Sequence, residues 1–230
     1  MKSVVRKLFP AVDFAYLSRS PLLWVYAAYL TIRYVDNWKR FPAIYFNGHV
    51  CVKIKKAKNA LFEIHEKLLF ERWLNGAAVT TITIQENAKL SVDKTFTLGD
   101  GIKVFVNSNA ELLLKGREYE SASGITANAV VMVNKYLEIG RDCIIAWDTF
   151  LTDCDWHSID GKSATKETII GDHTWIGVGA KVLKGAVVGR DSIITSNSVV
   201  LQGNYQDNSL ISGSPAKVTK TNVVHWHREL

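Results

Sequence analysis

The sequence predicts a mainly β protein, built as a parallel β-helix in which a short strand and a turn repeat every six residues. The first observation is a column of β-branched residues at every sixth position: Ile170, Ile176, Val182, Val188, Ile194 and Val200. The second is that the residue four places further on is always small: Thr174, Ala180, Ala186, Ser192 and Ser198.

The period itself selects strands over helices. Six is a multiple of the two-residue strand period, so every β-branched residue points to the same side of its strand. In an α-helix of 3.6 residues per turn, the same spacing would spread these residues around the whole surface. One repeat cannot bury its own apolar residue, so repeats must stack. We therefore expect three repeats, about 18 residues, to close a triangular coil, with small residues at its corners and coils about 4.8 Å apart.

The register extends upstream and is interrupted once. It continues at Val133, Ile139, Ile145 and Leu151, and a weaker run lies at Ile84, Leu90, Phe96 and Ile102. From Leu151 to Ile170 the spacing is one residue longer than three repeats. Residues 152–168 are therefore predicted to protrude as a loop, and loops on a rigid scaffold are where function concentrates.

The pattern divides the chain into three parts. Residues 1–46 are predicted to form an aromatic-rich helical segment, with the helix within 13–38 and Asp13 or Ser20 as its N-cap. Residues 47–213 are predicted to form the β-helix domain, with the loop at 152–168 protruding from it. Residues 214–230 form a short C-terminal cap and tail, because repeat arrays need covers at both ends.

Composition excludes several classes of protein. The 230 residues are 47% apolar and 22% charged, as in an ordinary soluble globular protein. The odd count of three cysteines argues against a secreted disulfide framework and favours the cytoplasm. A net charge of +6 suggests an anionic partner. One lysine cluster is interpreted as a solvated strand edge, so no nucleic-acid partner is expected: Lys53, Lys55, Lys56 and Lys58.

The most apolar run, residues 21–32, is too short for a membrane span, which takes about 20 residues. Arg19 and Arg33 bracket it. We expect either a packed helix that covers one end of the domain or an interfacial helix. The second would give peripheral association with the inner face of the membrane.

Three segments carry a family resemblance. Residues 170–189 and 212–217 resemble the hexapeptide-repeat acyltransferases, and the match is close from 133 to 220. Residues 152–159, Thr-Asp-Cys-Asp-Trp-His-Ser-Ile, look like the active-site region of the polysaccharide O-acetyltransferase branch, near the maltose and galactoside acetyltransferases. The resemblance implies a left-handed coil, a homotrimer with active sites between subunits, acetyl-CoA as the acetyl donor and a glycan or sugar acceptor.

His157 is the candidate catalytic base. Transfer of acetyl to a hydroxyl requires removal of the hydroxyl proton, and a neutral imidazole with a pKa of about 6.5 is suited to that. Asp155 and Asp153 are close enough in sequence for one of them to orient the ring. The resemblance implies the same base role for His157. The alternative is a solvent-facing loop histidine.

The donor site is assigned mainly by resemblance. Trp175 precedes an inward Ile, so its side chain should point outward, and the resemblance implies that it lines the cleft near a neighbouring subunit's histidine. A row of small residues would let the pantetheine arm approach the backbone: Gly177, Gly179, Ala180, Ser196 and Asn197. Lys217 and Lys220 match the family's phosphate-binding positions. No metal is expected, because Cys143, Cys154 and His157 lack zinc spacing.

These observations lead to one functional prediction and two alternatives. The prediction is an O-acetyltransferase that moves acetyl from acetyl-CoA to a sugar hydroxyl of a surface polysaccharide or its precursor. The first alternative keeps the fold and transfers acetyl to an amino sugar or a small molecule. The second is a β-helix scaffold without catalytic activity.

Overall fold

The computed structural model describes residues 14–73, 78–118, 123–222 and 226–227. The chain begins there with helices α1 (Phe14–Arg19) and α2 (Pro21–Tyr34) and continues as strands β1 to β24. Consecutive strands up to β23 fall on three different parallel sheets, which form the three faces of a prism.

Face 1 consists of β1 (Asn37–Trp38), β4 (Leu61–Ile64), β7 (Lys89–Val92), β10 (Glu111–Gly116), β13 (Tyr136–Arg141), β16 (Thr168–Ile170), β19 (Ala186–Val188) and β22 (Gly203–Tyr205). Face 2 consists of β2 (Ile44–Asn47), β5 (Lys67–Glu71), β8 (Thr95–Asp100), β11 (Ser123–Ala127), β14 (Ile144–Ile145), β17 (Trp175–Ile176), β20 (Ile193–Ile194), β23 (Ser209–Gly213) and β24 (Ala216–Thr221). Face 3 consists of β3 (Val52–Lys56), β6 (Thr80–Ile84), β9 (Lys103–Val106), β12 (Val130–Val133), β15 (Phe150–Thr152), β18 (Lys181–Val182) and β21 (Val199–Val200).

The coil closes as the period predicts. From β1 to β23, each strand pairs in parallel with the strand three further along the chain, one coil away. On face 2, for example, Ile145 pairs with Ile176 and Ile176 pairs with Ile194. The predicted mainly β fold, a parallel β-helix of six-residue repeats, is confirmed.

The predicted core columns lie inside the prism. All six β-branched residues from Ile170 to Val200 are at most 1% exposed, and burial of each such side chain contributes about 1.5–3 kcal/mol. The small residues are buried at the corners, where a hydroxyl also satisfies the turn: Thr174 Oγ1 donates to the carbonyl of Gly171 at 2.8 Å. The weaker run is equally buried: Ile84, Leu90, Phe96 and Ile102.

The weaker period upstream has a structural cause. The chain from Leu68 to its partner Phe96 is longer than the chain from Ile176 to its partner Ile194, mainly because strands β5 to β8 have four to six residues and strands β17 to β20 only two or three. Aromatic rings help to fill these wider coils, and Phe46 stacks on Phe70 with centroids 5.3 Å apart.

The N-terminal end is closed by the helices. Ala27 and Leu30 of α2 join the core, and Thr31 Oγ1 accepts hydrogen bonds from the backbone N–H groups of Ala43 and Ile44, both at 3.2 Å. The hydroxyl of Tyr16 accepts the N–H of Phe46 at 3.0 Å. The side chains of Thr31 and Tyr16 thus provide acceptors for backbone N–H groups of β2 and of the residue before it. Strand β2 lies at the open edge of face 2, where these groups have no neighbouring strand.

Two boundaries differ from those expected from the sequence. Strand β1 and the first three residues of β2 fall within residues 1–46, so the first coil begins at Asn37. The helix α2 ends at Tyr34, and Trp38 is in a strand. Asp13 lies outside the described residues, and Ser20 is the N-cap of α2 without a side-chain hydrogen bond. Part of the predicted tail is β24, which pairs antiparallel with β23 and closes the other end of face 2.

The outer surfaces of the faces differ in charge. Face 1 carries ion pairs between neighbouring coils, such as Lys89 Nζ with Glu63 at 3.2 Å and with Glu111 at 3.7 Å. Lys53 and Lys55 are exposed on β3, the edge strand of face 3, as the strand-edge interpretation of that cluster predicts. Neither α1 nor α2 is long and apolar enough to cross a membrane.

Candidate active site

Between β15 and β16 the chain leaves the coil as a hairpin. Cys154 and Thr165 form an antiparallel bridge, and the N–H of Lys162 donates to the carbonyl of Ile159 at 2.9 Å. The two residues at the tip, Asp160 and Gly161, have φ of 51° and 69°, which is typical of a tight hairpin turn. The segment between β15 and β16 is thus an ordered hairpin at the corner between face 3 and face 1.

His157 lies on the outgoing arm of this hairpin with its side chain exposed. The preceding residue, Trp156, has a φ of 65° and packs its ring against Phe105 on face 3, with centroids 6.0 Å apart. The left-handed backbone at Trp156 and this ring contact anchor the arm beside His157. Within the described residues, no hydrogen bond or ion pair of the imidazole is seen.

Asp153 has a different role from the one expected. It is fully buried, and its carboxylate accepts the backbone N–H groups of Asn134 at 2.8 Å, Lys135 at 2.6 Å and Tyr136 at 2.7 Å. Burial raises the pKa of this carboxyl above its ordinary value, and the three N–H groups oppose that shift. Asp153 therefore holds the turn between β12 and β13 and does not orient the ring of His157 in this arrangement.

Asp155 is exposed and forms an ion pair with Lys184, a residue that the sequence analysis missed. Lys184 Nζ also donates to the carbonyl of Ser163 at 3.0 Å. Lys184 lies at the corner between β18 and β19, one coil beyond the hairpin, and so ties both arms to the scaffold. The regular spacing of the repeats could have indicated this contact, because it places the corner that carries Lys184 next to the loop, one coil further along.

Trp175 lies on another side of the prism. It is on face 2, between Ile144 and Ile193 in register, and its side chain is 41% exposed. The hairpin of His157 leaves from the corner opposite face 2, because a coil runs through faces 2, 3 and 1 in that order. Within one chain the two residues are therefore not brought together.

The predicted small residues meet at the corner between faces 2 and 3. A Cβ at Gly177 would come within 2.6 Å of Ser196 N, and a Cβ at Gly179, where φ is +68°, within 2.5 Å of Asn197 Oδ1. The backbone contact leaves no room for a side chain at Gly177, and the positive φ favours glycine at Gly179. Ser196 and Asn197 are exposed, whereas the side chain of Ala180 is buried, so only its backbone is available there.

The predicted phosphate ligands lie on the terminal strand of face 2. Lys217 and Lys220 are both exposed on β24, opposite Ser212 and Leu210 of β23. They therefore lie at the C-terminal end of the prism, beyond the coils that carry the row of small residues.

A second cluster, which the sequence analysis did not identify, joins His173 to Trp226. The His173 ring stacks on Trp226 with centroids 4.1 Å apart and planes 6° apart, and its Nδ1 is 3.0 Å from Asp191 Oδ1. Trp226 Nε1 donates to the carbonyl of His173 at 3.0 Å, and its ring is 6.3 Å from that of Trp175. Trp226 thus lies beside Trp175 on face 2, and no repeat in the tail would signal this.

The described part of the chain contains no group of three or more His, Cys, Asp or Glu side chains that could hold a metal ion.

Comparisons with known proteins agree with this architecture. The family model for bacterial transferase hexapeptide (six repeats) matches residues 167–202. A putative lipopolysaccharide biosynthesis O-acetyl transferase of Escherichia coli is 26% identical over 159 residues, which are 60% of this chain and 74% of that protein. A probable acetyltransferase of Mycobacterium tuberculosis is 26% identical over 228 residues, covering 92% of this chain and 65% of the relative.

Two further likenesses involve polysialic acid enzymes. A polysialic acid O-acetyltransferase of Escherichia coli is 30% identical over 153 residues, 64% of this chain but only 45% of that protein. The crystal structure of the polySia-specific acetyltransferase NeuO superposes with a TM-score of 0.51 at 20% identity, over 85% of this chain and 88% of that one. The fold is thus the left-handed β-helix of hexapeptide-repeat transferases.

The hydrogen bonds of Asp153 generate a stability prediction. Asp153→Asn keeps one carbonyl oxygen but replaces the other acceptor with an NH₂ group, so at least one buried backbone N–H loses its partner. We expect the free energy of unfolding to fall by about 1–3 kcal/mol in urea denaturation. The control, Asp155→Asn, removes an exposed ion pair and should cost less than about 1 kcal/mol. Equal losses for the two variants would contradict the role assigned to Asp153.

Proposed function

The chain is an acyltransferase built on hexapeptide repeats, and we propose that it transfers acetyl from acetyl-CoA to a hydroxyl of a polysaccharide or its precursor. One observation carries the proposal: an exposed histidine on a braced hairpin stands beside a coil that also carries a corner of close-packed glycines. The names of two relatives, O-acetyl transferases of lipopolysaccharide biosynthesis and of polysialic acid, support the choice of acceptor.

His157 is the general base in this proposal. Its neutral imidazole takes the proton of the sugar hydroxyl while the hydroxyl oxygen attacks the thioester carbonyl. The C–S bond of the tetrahedral intermediate then breaks, and the imidazolium returns the proton to the departing sulfur. Asp155 acts as a positioning residue, because its ion pair with Lys184 braces the arm that carries His157. Asp153 acts more remotely, by holding the turn at 134–136 beneath the hairpin.

Acetyl-CoA is the donor substrate, and the corner between faces 2 and 3 is the proposed site of its pantetheine arm. Gly177, Gly179 and Ala180 offer backbone groups there, beside the exposed Ser196 and Asn197. Trp175 shapes the adjoining cleft. The phosphates require cations, and Lys217 and Lys220 on β24 supply them.

The active site is proposed to form between subunits of a homotrimer. His157 and Trp175 lie on different sides of one prism, so they can contribute to one cleft only when two prisms pack side by side. In a cyclic trimer each cleft then takes the hairpin from one subunit and face 2 from the next.

The base assignment is tested by His157→Ala. The variant should lose a factor of about 10² to 10⁴ in kcat, because no other group replaces the base. The measurement is thiol release from acetyl-CoA with a panel of polysaccharides, oligosaccharides and amino sugars as acceptors. His49→Ala, which changes another exposed histidine, should keep the wild-type rate. A fully active His157→Ala would exclude this base, and turnover with amino sugars alone would assign N-acetylation instead.

Sites shared between subunits predict complementation. His157→Ala and Trp175→Ala should each be nearly inactive. After the two variants are unfolded together and refolded, about a quarter of the clefts should combine an intact His157 with an intact Trp175, so about a quarter of the activity should return. Wild-type protein taken through the same cycle is the control. If light scattering confirms mixed trimers and no activity returns, the two residues do not share a cleft.

We also propose peripheral binding to the cytoplasmic face of an anionic membrane. Large apolar side chains at helical spacing remain exposed on α2: Leu22 at 85%, Val25 at 60%, Tyr29 at 56% and Ile32 at 67%. Exposed cations flank this surface on both sides: Arg19, Arg33, Lys39 and Arg40. An apolar helix face between cations suits the interface of an anionic bilayer.

This membrane proposal predicts a vesicle-binding defect. Leu22→Ser and Ile32→Ser should each lower partition to vesicles of phosphatidylcholine with phosphatidylglycerol by about tenfold, because each removes aliphatic surface that the bilayer would bury. Vesicles of phosphatidylcholine alone should bind the wild type less well. Leu61→Ser is the matched control, since Leu61 is 47% exposed on face 1. Sedimentation that is equal for all variants would contradict the proposal.

A further inference from the structure

An open groove of about 790 Å³ lies on the outside of face 2, in the N-terminal half of the prism. It is lined by α1, by Trp73 after β5, and by side chains of β2, β5, β8 and β11, and it ends at Ile144 of β14. None of the residues assigned above to the reaction or to acetyl-CoA lines it.

The groove leads towards the proposed active site. Its lining includes one residue from each of five successive coils, aligned by the strand register: Tyr45, Leu69, Thr97, Gly124 and Ile144. The next residue in this row is Trp175. At about 4.8 Å per coil, the row from Tyr45 to Ile144 is about 19 Å long. This length fits an extended chain better than a single small molecule.

The lining combines aromatic rings with hydrogen-bonding groups. Tyr16 stacks on Tyr45 with centroids 4.8 Å apart, and the side chain of Trp73 is 43% exposed. Asn47 Nδ2 donates to Glu71 Oε1 at 2.7 Å at the same surface. Rings that stack on the apolar faces of sugars, set among amide, carboxylate and hydroxyl groups, suit a carbohydrate chain.

Thr97 provides an independent sign of a ligand. The residue is 2% exposed in the lining of the groove, and its hydroxyl oxygen has no hydrogen-bond partner within the described residues. A buried hydroxyl without a partner is unfavourable and uncommon in folded proteins. A sugar hydroxyl in the groove supplies the missing partner once the side chains that cover the Thr97 oxygen shift on binding.

The charges of the groove favour an acidic chain. Arg19 and Lys67 line it, with Lys67 Nζ 4.6 Å from the centre of the Tyr45 ring. One carboxylate, Glu71, also lines it and accepts a hydrogen bond from Asn47, so the lining is net positive. Cations in a wet, concave surface are also less suited to the centre of a subunit interface, which is depleted in charge.

We propose that this groove binds the carbohydrate chain that bears the acceptor hydroxyl, running along face 2 from α1 towards Trp175. The identification of that chain as the acceptor rests on the proposed acetyl transfer. The groove selects polymers or long oligosaccharides over single sugars, because only a chain spans it and also reaches Trp175. It also begins at α1, beside the helix face proposed to meet the membrane.

The test is direct binding, without catalysis. Wild type, Trp73→Ala and Thr97→Val are titrated with alginate, polysialic acid and dextran in affinity electrophoresis. We expect an acidic polysaccharide to bind more tightly than dextran. Trp73→Ala should weaken that binding about tenfold, and Thr97→Val about three- to tenfold with no loss of thermal stability. Trp38→Ala, which changes a similarly exposed tryptophan outside the groove, should bind as the wild type does.

Several outcomes would overturn the proposal. The first is failure of all three polysaccharides to bind to the wild type, and the second is unchanged binding by both groove variants. The third is dissociation of the oligomer of a groove variant in light scattering, which would make the groove a subunit interface. His157→Ala separates the two proposals, because it should bind polysaccharide normally while transferring no acetyl. Binding by a wild type that never transfers acetyl would retain the groove and reject the reaction.

Discussion

Every other feature of this protein depends on the stacking of inward β-branched residues from one coil to the next. A single strand of two or three residues, such as β17 or β20, has no stability of its own, and its Ile side chain is buried only by the coils on either side. Because the columns run through all three faces, strands of neighbouring coils keep their register along the whole prism. Excursions of the chain are therefore confined to the corners, where the chain points away from the core.

The candidate active site follows from that confinement. The hairpin of His157 leaves at one corner, and the close-packed glycines occupy another, while the strands between them continue in register. The scaffold also provides the braces: Asp153 holds a turn one coil below, and Lys184 reaches the hairpin from one coil above. A loop held from both sides can keep an exposed imidazole in a defined place without burying it.

The three faces then divide the work. Face 1 pairs its charges between coils, as Lys89 does with Glu63 and Glu111, so it is suited to solvent. Face 2 presents an uncharged row that begins with Tyr45 and continues through Gly124 to Trp175. This asymmetry favours face 2, over face 1, for contacts with ligands and other subunits.

The local pattern was sufficient for the fold, and distant contacts decided the details of the site. The six-residue period predicted the buried columns and the break before Ile170, because strand direction and burial are set by near neighbours in the chain. It did not reveal the hydrogen bonds of Asp153 to residues 134–136, the stacking of Trp226 on His173, or the groove between α1 and face 2. These contacts join residues whose approach depends on how many residues each coil and turn contains. That number varies freely at the corners, so only the assembled prism determines which side chains meet.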